Sequence, residues 1–221
     1  LENMIEKVKQ RGGLVSYKAT PHGNIPYELN INYLDAISEK ELDDATRAKK
    51  FLASQAIMLS LAGVPGIYVH SLIGSGNDPE GVKRTGMNRS INREKLSYDE
   101  TAEALTRKDT LRHLVYTGYI DLLSARKKSS AFHPSGRQKI PGPGTSVFPV
   151  LRISPDEEEQ VLCLINIGSK KELFSPDALT ISGFSSANQL YDIITGSPFD
   201  KRTLNSGIEV EPYQVLFITG R

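Results

Sequence analysis

The chain has 221 residues, with 27 lysines and arginines against 26 aspartates and glutamates. That length suits one large or two small domains, and the near-neutral charge removes the electrostatic case for a nucleic-acid or anionic-membrane partner. No apolar run is long enough to span a bilayer, the charged opening residues lack the apolar heart of a targeting peptide, and the single cysteine, Cys163, excludes an internal disulfide.

Leu1, Met4, Ile5 and Val8 recur at helical spacing, and Gly12-Gly13 stops that helix. Leu14–Tyr17 is a short strand candidate, Thr20–Pro26 reads as a loop because its prolines and glycine break regular structure, and Tyr27–Tyr33 alternates at period two as a strand does. Leu1-Glu2 has the look of a cloning scar, so the chain is expected to be a piece of a longer one.

Asp43 or Asp44 caps a helix that runs to about Leu61, with Phe51, Leu52, Ile57, Met58 and Leu61 forming its apolar face. Gly63 suits a C-cap needing positive φ, and Pro65 cannot continue the helix. Ile67, Tyr68 and Val69 then form a β-prone run with His70 and Ser71 at its carboxyl end. A helix leading directly into a buried strand is the αβ step of a parallel sheet or barrel, and barrels carry chemistry at the carboxyl ends of their strands. Tyr68 is expected in the barrel core; His70 is a structural residue or a site candidate. Leu72–Glu100 is a long loop rich in Gly, Asn, Ser and Arg, and such loops are functional or disordered. Lys108–Lys127 is a second long helix, buried along Leu111, Leu114, Val115, Gly118, Tyr119, Leu122 and Leu123, with Arg126-Lys127-Lys128 set against its negative end.

Beyond a boundary near Ala131–Gly136 the texture becomes β. Ser146–Ile153, Gln160–Ile167, Ala187–Asp192, Gly207–Val210 and Val215–Ile218 alternate with turns, and Pro155–Glu159 is a polar hairpin tip. This predicts a small antiparallel β-sandwich or sheet. Cys163 lies in an apolar run and reads as a buried, inert thiol. A structural zinc site is excluded for want of a Cys/His cluster, no cofactor or metal is expected, and a reducing cytoplasm suits the cysteine usage.

Two segments carry candidate chemistry. Lys83–Glu94 packs Arg84, Arg89 and Arg93 with Asn88 and Asn92. Guanidinium forks suit vicinal hydroxyls, carboxylates and phosphates, and asparagine complements a sugar hydroxyl; a loop tied down by arginine–carboxylate pairs has the same composition. The second is Pro21–Asn30, with His22, Tyr27, Glu28 and Asn30. There His22 is a solvated loop residue or an anion contact, and Tyr27 and Asn30 either pack and cap or touch ligand.

Leu61-Ala-Gly-Val-Pro-Gly-Ile-Tyr68 resembles the last helix-to-strand step of the α-amylase superfamily barrel. Asn77-Asp78, Thr85 and the run Asn88-Arg89-Ser-Ile-Asn-Arg93 resemble the sucrose phosphorylase branch of that superfamily. The resemblance implies α/β plus all-β architecture: the last part of a TIM (β/α)8 barrel and a C-terminal antiparallel β-sandwich. Residues 1–42 would follow barrel strand seven and carry the acceptor loop, 43–130 would hold helix seven, strand eight and helix eight, and 131–221 would be the β domain. Arg89 would hold the donor glucosyl unit, with Arg93 bracing the loop. Tyr27 and Asn30 match a mobile Tyr-Gln-x-Asn acceptor segment, while Glu28 stands where sucrose phosphorylases carry glutamine. The upstream Thr-Pro-His-Gly also departs from that pattern. The wider branch includes phosphorylases for sucrose 6-phosphate, glucosylglycerol and glucosylglycerate, and His22 is placed to meet a charged acceptor.

Retaining enzymes of this type need a carboxylate nucleophile and a carboxylic acid. The chain has no His-Asp dipeptide, and the resemblance puts the nucleophile, the acid and a third carboxylate upstream of Leu1, leaving no catalytic residue here. The expectation is therefore an inactive C-terminal fragment of a retaining α-glucosyl phosphorylase, whose partners are a small sugar substrate and phosphate. Its rivals are an α-glucosidase-type hydrolase of the same superfamily and a non-catalytic carbohydrate-binding module; the absence of tryptophan weighs against the module. A barrel strand without neighbours also predicts self-association of the fragment.

Overall fold

The computed structural model describes residues 1–142, 146–184 and 187–220. The chain divides into two units, Leu1–Phe51 with Ile67–Thr117, and Leu52–Gly66 with Gly118–Arg221.

In the first unit, α1 (Glu2–Gln10) ends before Gly12, whose φ of +76° suits glycine. Then β1 (Leu14–Thr20) and β2 (Gly23–Asn30) form an antiparallel hairpin. The segment read as a loop is thus partly strand: β2 starts at Gly23, contains Pro26 and stops at Asn30. The register explains how the proline is tolerated. Ser16 faces Glu28 and Tyr17 faces Pro26, so Tyr27 is the extra residue of a bulge. Pro26 has no N–H to donate to the ladder, and a bulge beside it both interrupts pairing and re-aims the next side chains.

Asn32 caps α2 (Tyr33–Ile37) by accepting from Leu34 N at 3.1 Å. Asp43 caps α3 (Asp44–Ser60) by accepting from Thr46 N at 2.9 Å. The expected strand at Ile67–Val69 does not form. Residues 64–68 pair with nothing in a ladder, and Val69–Leu72 is a helical turn, α4. A strand exists only through partners on its edges, and none of the described residues supplies one. Tyr68 is accordingly half exposed rather than core, its ring 5.0 Å from that of His70. The long loop is also more structured than its composition suggested. It contains α5 (Pro79–Thr85, capped by Asp78), a 3-10 turn at Asn88–Asn92, and the start of α6 (Tyr98–Thr106). Val8, Leu34, Ala48, Phe51, Ile73, Ile91 and Val115 are this unit's buried apolar groups. Gly74 is favoured on two counts: its φ is +63°, and a Cβ would press to 3.0 Å from the Val115 side chain.

α3 and α7 (Leu111–Lys128) begin in the first unit and end in the second. Within the second, Tyr119 is fully buried and donates its hydroxyl to Gln55 Oε1 at 2.8 Å. The strands are β3 (Arg137–Lys139), β4 (Val147–Ile153), β5 (Gln160–Asn166), β6 (Glu172–Phe174), β7 (Leu190–Asp192), β8 (Ile208–Val210) and β9 (Val215–Gly220), with α8 (Pro176–Ile181) and α9 (Thr203–Ser206) between them. All pairings are antiparallel: β3-β4-β5-β9-β7 in one sheet and β6-β8 in another. β5 lies at the centre and is buried on both faces. Leu162, Leu164, Leu179, Phe184, Val210 and Ile218 form the core. Cys163 is fully buried, and desolvation pushes its thiol well above the ordinary range.

Candidate functional site

The two motifs singled out from sequence meet in space. Arg89 lies in the 3-10 turn, and its Nε donates to both carboxylate oxygens of Glu28, 3.0 Å from each. The two side chains are 55% and 30% exposed. Glu28's hydrogen bond, with smaller help from the Tyr27 phenol, raises the Arg89 guanidinium above its ordinary value. Tyr27, displaced outward by the bulge, is 58% exposed beside them. Asn30 is instead buried, and its amide donates to Ser16 Oγ at 2.9 Å and to Glu28 O at 3.3 Å. Ser16 Oγ also accepts from Asn88 at 3.2 Å, so one hydroxyl ties the hairpin to the residue preceding Arg89. Nothing in the sequence marked Ser16, because its role comes from the hairpin register.

His22 sits in the two-residue turn between β1 and β2, exposed, its backbone N–H donating to Thr20 Oγ1 at 3.3 Å. Glu28 is six positions further along, about 20 Å of strand at about 3.3 Å per residue, so His22 does not join the Arg89 group. Arg93 is exposed; its backbone N–H donates to Ser90 O at 3.1 Å, and its side chain makes no hydrogen bond or ion pair among the described residues. The bracing expected of it falls to Arg112, which reaches Glu94 Oε2 at 3.3 Å and Ser75 Oγ at 3.4 Å. Ser75 in turn lies 3.0 Å from Nδ1 of the buried His70. Burial holds His70 below its ordinary value, opposed by Glu94 and aided by Arg112.

Asn77 and Asp78 also have internal duties. Asn77 N donates to Asp35 Oδ2 at 2.7 Å, and its side chain accepts from Asn32 N and donates to Arg11 O. Asp78 caps α5, accepting from Gly81 N at 2.7 Å, and lies 3.9 Å from Arg84. Two clefts, of about 550 and 770 Å³, lie in the second unit and contain none of these residues. Among the described residues no group of His, Cys, Asp and Glu is arranged to hold a metal, and no helix is long and apolar enough to cross a membrane.

No protein-family model matches the chain. Solved structures supply the class. Sucrose 6F-phosphate phosphorylase from Thermoanaerobacter thermosaccharolyticum superposes on 75% of this chain and 31% of its own, with a TM-score of 0.60 and 22% identity. An Anoxybacillus α-amylase superposes on 86% and 36%, with a TM-score of 0.56 and 15% identity. Likeness at such identity shows the fold, that of α-amylase-type enzymes: part of their (β/α)8 barrel with an antiparallel β domain.

Within that class the chain belongs to the sucrose phosphorylase-like branch of the α-amylase superfamily. It is 50% identical over 228 residues to glucosylglycerate phosphorylase of Spirochaeta thermophila and 40% over 154 residues to that of Escherichia coli, covering 99% and 69% of this chain. Sucrose phosphorylase of Streptococcus mutans is 25% identical over 167 residues, 75% of this chain. The chain spans 38%, 28% and 32% of the length of these three relatives.

Proposed function

We propose that this chain is the C-terminal part of a retaining α-glucosyl phosphorylase, in which a glucoside and phosphate give glucose 1-phosphate and the released acceptor. The observation that carries the reading is the meeting of Arg89 with Glu28 beside Tyr27. It joins the donor-type arginine and the acceptor hairpin in one polar cluster, open to solvent and rich in groups that recognise hydroxyls and oxyanions. In this reading Arg89 holds the glucosyl unit, Tyr27 and Glu28 line the acceptor side, and Asn30 with Ser16 supports them from beneath. His22, at the hairpin tip, stands outside this acceptor side. Residues 1–42, 43–130 and 131–221 are the post-strand-seven segment, the closing barrel elements and the β domain.

The nucleophile and acid come from parts of the protein outside this chain, and the chain alone does not turn over substrate. Glucosylglycerate is the first glucoside to test, because the relatives of highest identity quoted above are named for it. A reducing, cytoplasmic setting suits Cys163, which is free and buried. The test is to express the protein with its upstream residues and supply glucosylglycerate or sucrose with and without phosphate. Phosphate-dependent glucose 1-phosphate supports the reading; release of free glucose indifferent to phosphate makes the protein a hydrolase.

A further inference from the structure

We infer that Glu28 is a specificity-determining residue acting through Arg89: its carboxylate holds the guanidinium's Nε–H, and an oxyanion ligand binds by taking that place. The ligand names rest on the phosphorylase reading; the exchange itself rests on the contact.

Three features of the contact support exchange. First, both Glu28 oxygens share the single Nε–H at 3.0 Å. The strong two-bond geometry of guanidinium and carboxylate uses two parallel N–H donors, so this pairing leaves Arg89 able to form a better one. Second, both side chains are reachable from solvent, at 55% and 30% exposure. Third, the backbones beneath them are fastened independently of the pair. Asn88 is tied to Ser16 at 3.2 Å, Ser90 to Thr85 at 2.7 Å, and Ile91 O accepts from Asp78 N at 2.7 Å. On the hairpin side, Asn30 is tied to Ser16 at 2.9 Å. The side chains can therefore part while the 3-10 turn and the hairpin stay in register. Among the described residues no other carboxylate pairs with Arg89. An acceptor bearing a carboxylate, or phosphate itself, meets repulsion from Glu28 and attraction from Arg89 together. A neutral polyol meets a hydroxyl-accepting carboxylate already held in place.

The test titrates the chain with sodium phosphate, sodium glycerate and glycerol, following the Arg89 Nε–H signal and the hairpin amides by NMR. Glu28→Gln, isosteric and uncharged, should tighten binding of the oxyanions about two- to fivefold, the scale of an exposed ion pair, and should not tighten glycerol. Arg89→Gln should abolish the oxyanion response, with unchanged hairpin amides showing that the fold persists. A response to phosphate alone would assign the exchange to phosphate, and a response to glycerate alone to the acceptor. Equal oxyanion affinity in the parent chain and Glu28→Gln, a response surviving Arg89→Gln, or no response to either oxyanion in any variant overturns the inference. These titrations require no turnover. A failed phosphorolysis assay would remove the ligand names and leave the exchange standing, whereas an unresponsive Glu28→Gln would remove the exchange and leave the phosphorylase reading.

Discussion

Asp35 and Arg47 form the buried ion pair of the first unit, with Oδ1 2.9 Å from Nη2 and side chains 4% and 14% exposed. The other carboxylate oxygen accepts from Asn77 N, and a Cβ at Gly76 would approach it to 3.1 Å. Asp35 thereby fastens the segment that leads into the Arg89 turn. Removing Asp35 leaves Arg47 only its longer contact with the half-exposed Asp44, at 3.8 Å; breaking a fully buried pair costs about 3–5 kcal/mol, an upper bound here. Asp35→Ala is expected to lower the urea midpoint by up to that scale of stability. Glu80→Ala, which breaks the exposed Lys83–Glu80 pair, should leave the midpoint nearly unmoved. Equal effects from the two substitutions would show that Asp35 does not anchor the fold.

Arg152 is the complementary case, a fully buried guanidinium that hydrogen-bonds to carbonyls and lies 5.9 Å from the Phe132 ring centre. It donates to Ser60 O at 3.2 Å, Leu61 O at 2.7 Å and His133 O at 3.0 Å. Arg126 donates to Leu59 O and, at 2.8 Å, to Gly63 O. The two arginines satisfy the orphan carbonyls at the end of α3, where the helix dipole favours cations. Burial lowers both from the ordinary arginine value. Truncating Arg152 strands three acceptors, of which Ser60 O belongs to a buried residue, and a buried acceptor left unpaired costs about 1–3 kcal/mol. Arg152→Ala should therefore cost several-fold more stability than an exposed Arg202→Ala, measured by thermal unfolding. Arg152→Lys should recover only part, because an ammonium lacks the planar fork.

What could be read from sequence follows the range of the forces involved. Gly12 and the Asp43 cap act within one turn, so the helix limits they set were legible. The β domain was legible too, because β4 and β5 carry long β-prone runs around an acidic turn. Arg126 was expected to serve the end of its own helix and instead serves the end of α3, a choice made by packing. The hairpin was only half visible: its turn is Pro21-His22 rather than a glycine pair, and Pro26 disguises a strand whose bulge accommodates it. The Ile67–Val69 run was misread because strand formation depends on partners distant in sequence or outside the chain. Arg89 and Glu28 were each nominated, but their pairing spans 61 positions and needs the hairpin register to exist.

The ladder-free 64–68 segment and the adjoining Val69 make a prediction about association. Val64, Tyr68 and Val69 are 82%, 51% and 54% exposed, and exposed apolar stretches without partners favour association. Light scattering of this chain should show a mass that rises with concentration, and Val69→Lys should shift it back towards the monomer. A monomer mass across the whole range would show that the segment is not sticky.

His70 makes the pH prediction. Its folded-state value is depressed below the ordinary 6.5, first by burial, with Arg112 adding to the effect and Glu94 opposing it. The unfolded chain therefore takes up the proton at a higher pH than the folded one. Stability from the neutral ring is complete above about 6.5 and falls as pH drops from there through the lower folded-state value. Urea midpoints at pH 7.5 and pH 5.5 should differ more in the parent chain than in His70→Asn, which keeps a polar group near Ser75 but does not titrate. The readout is the difference between the two pH values, so a general loss of stability in the variant cancels. An unchanged difference would mean that His70 takes up its proton at the same pH folded and unfolded, with Glu94 offsetting burial and Arg112.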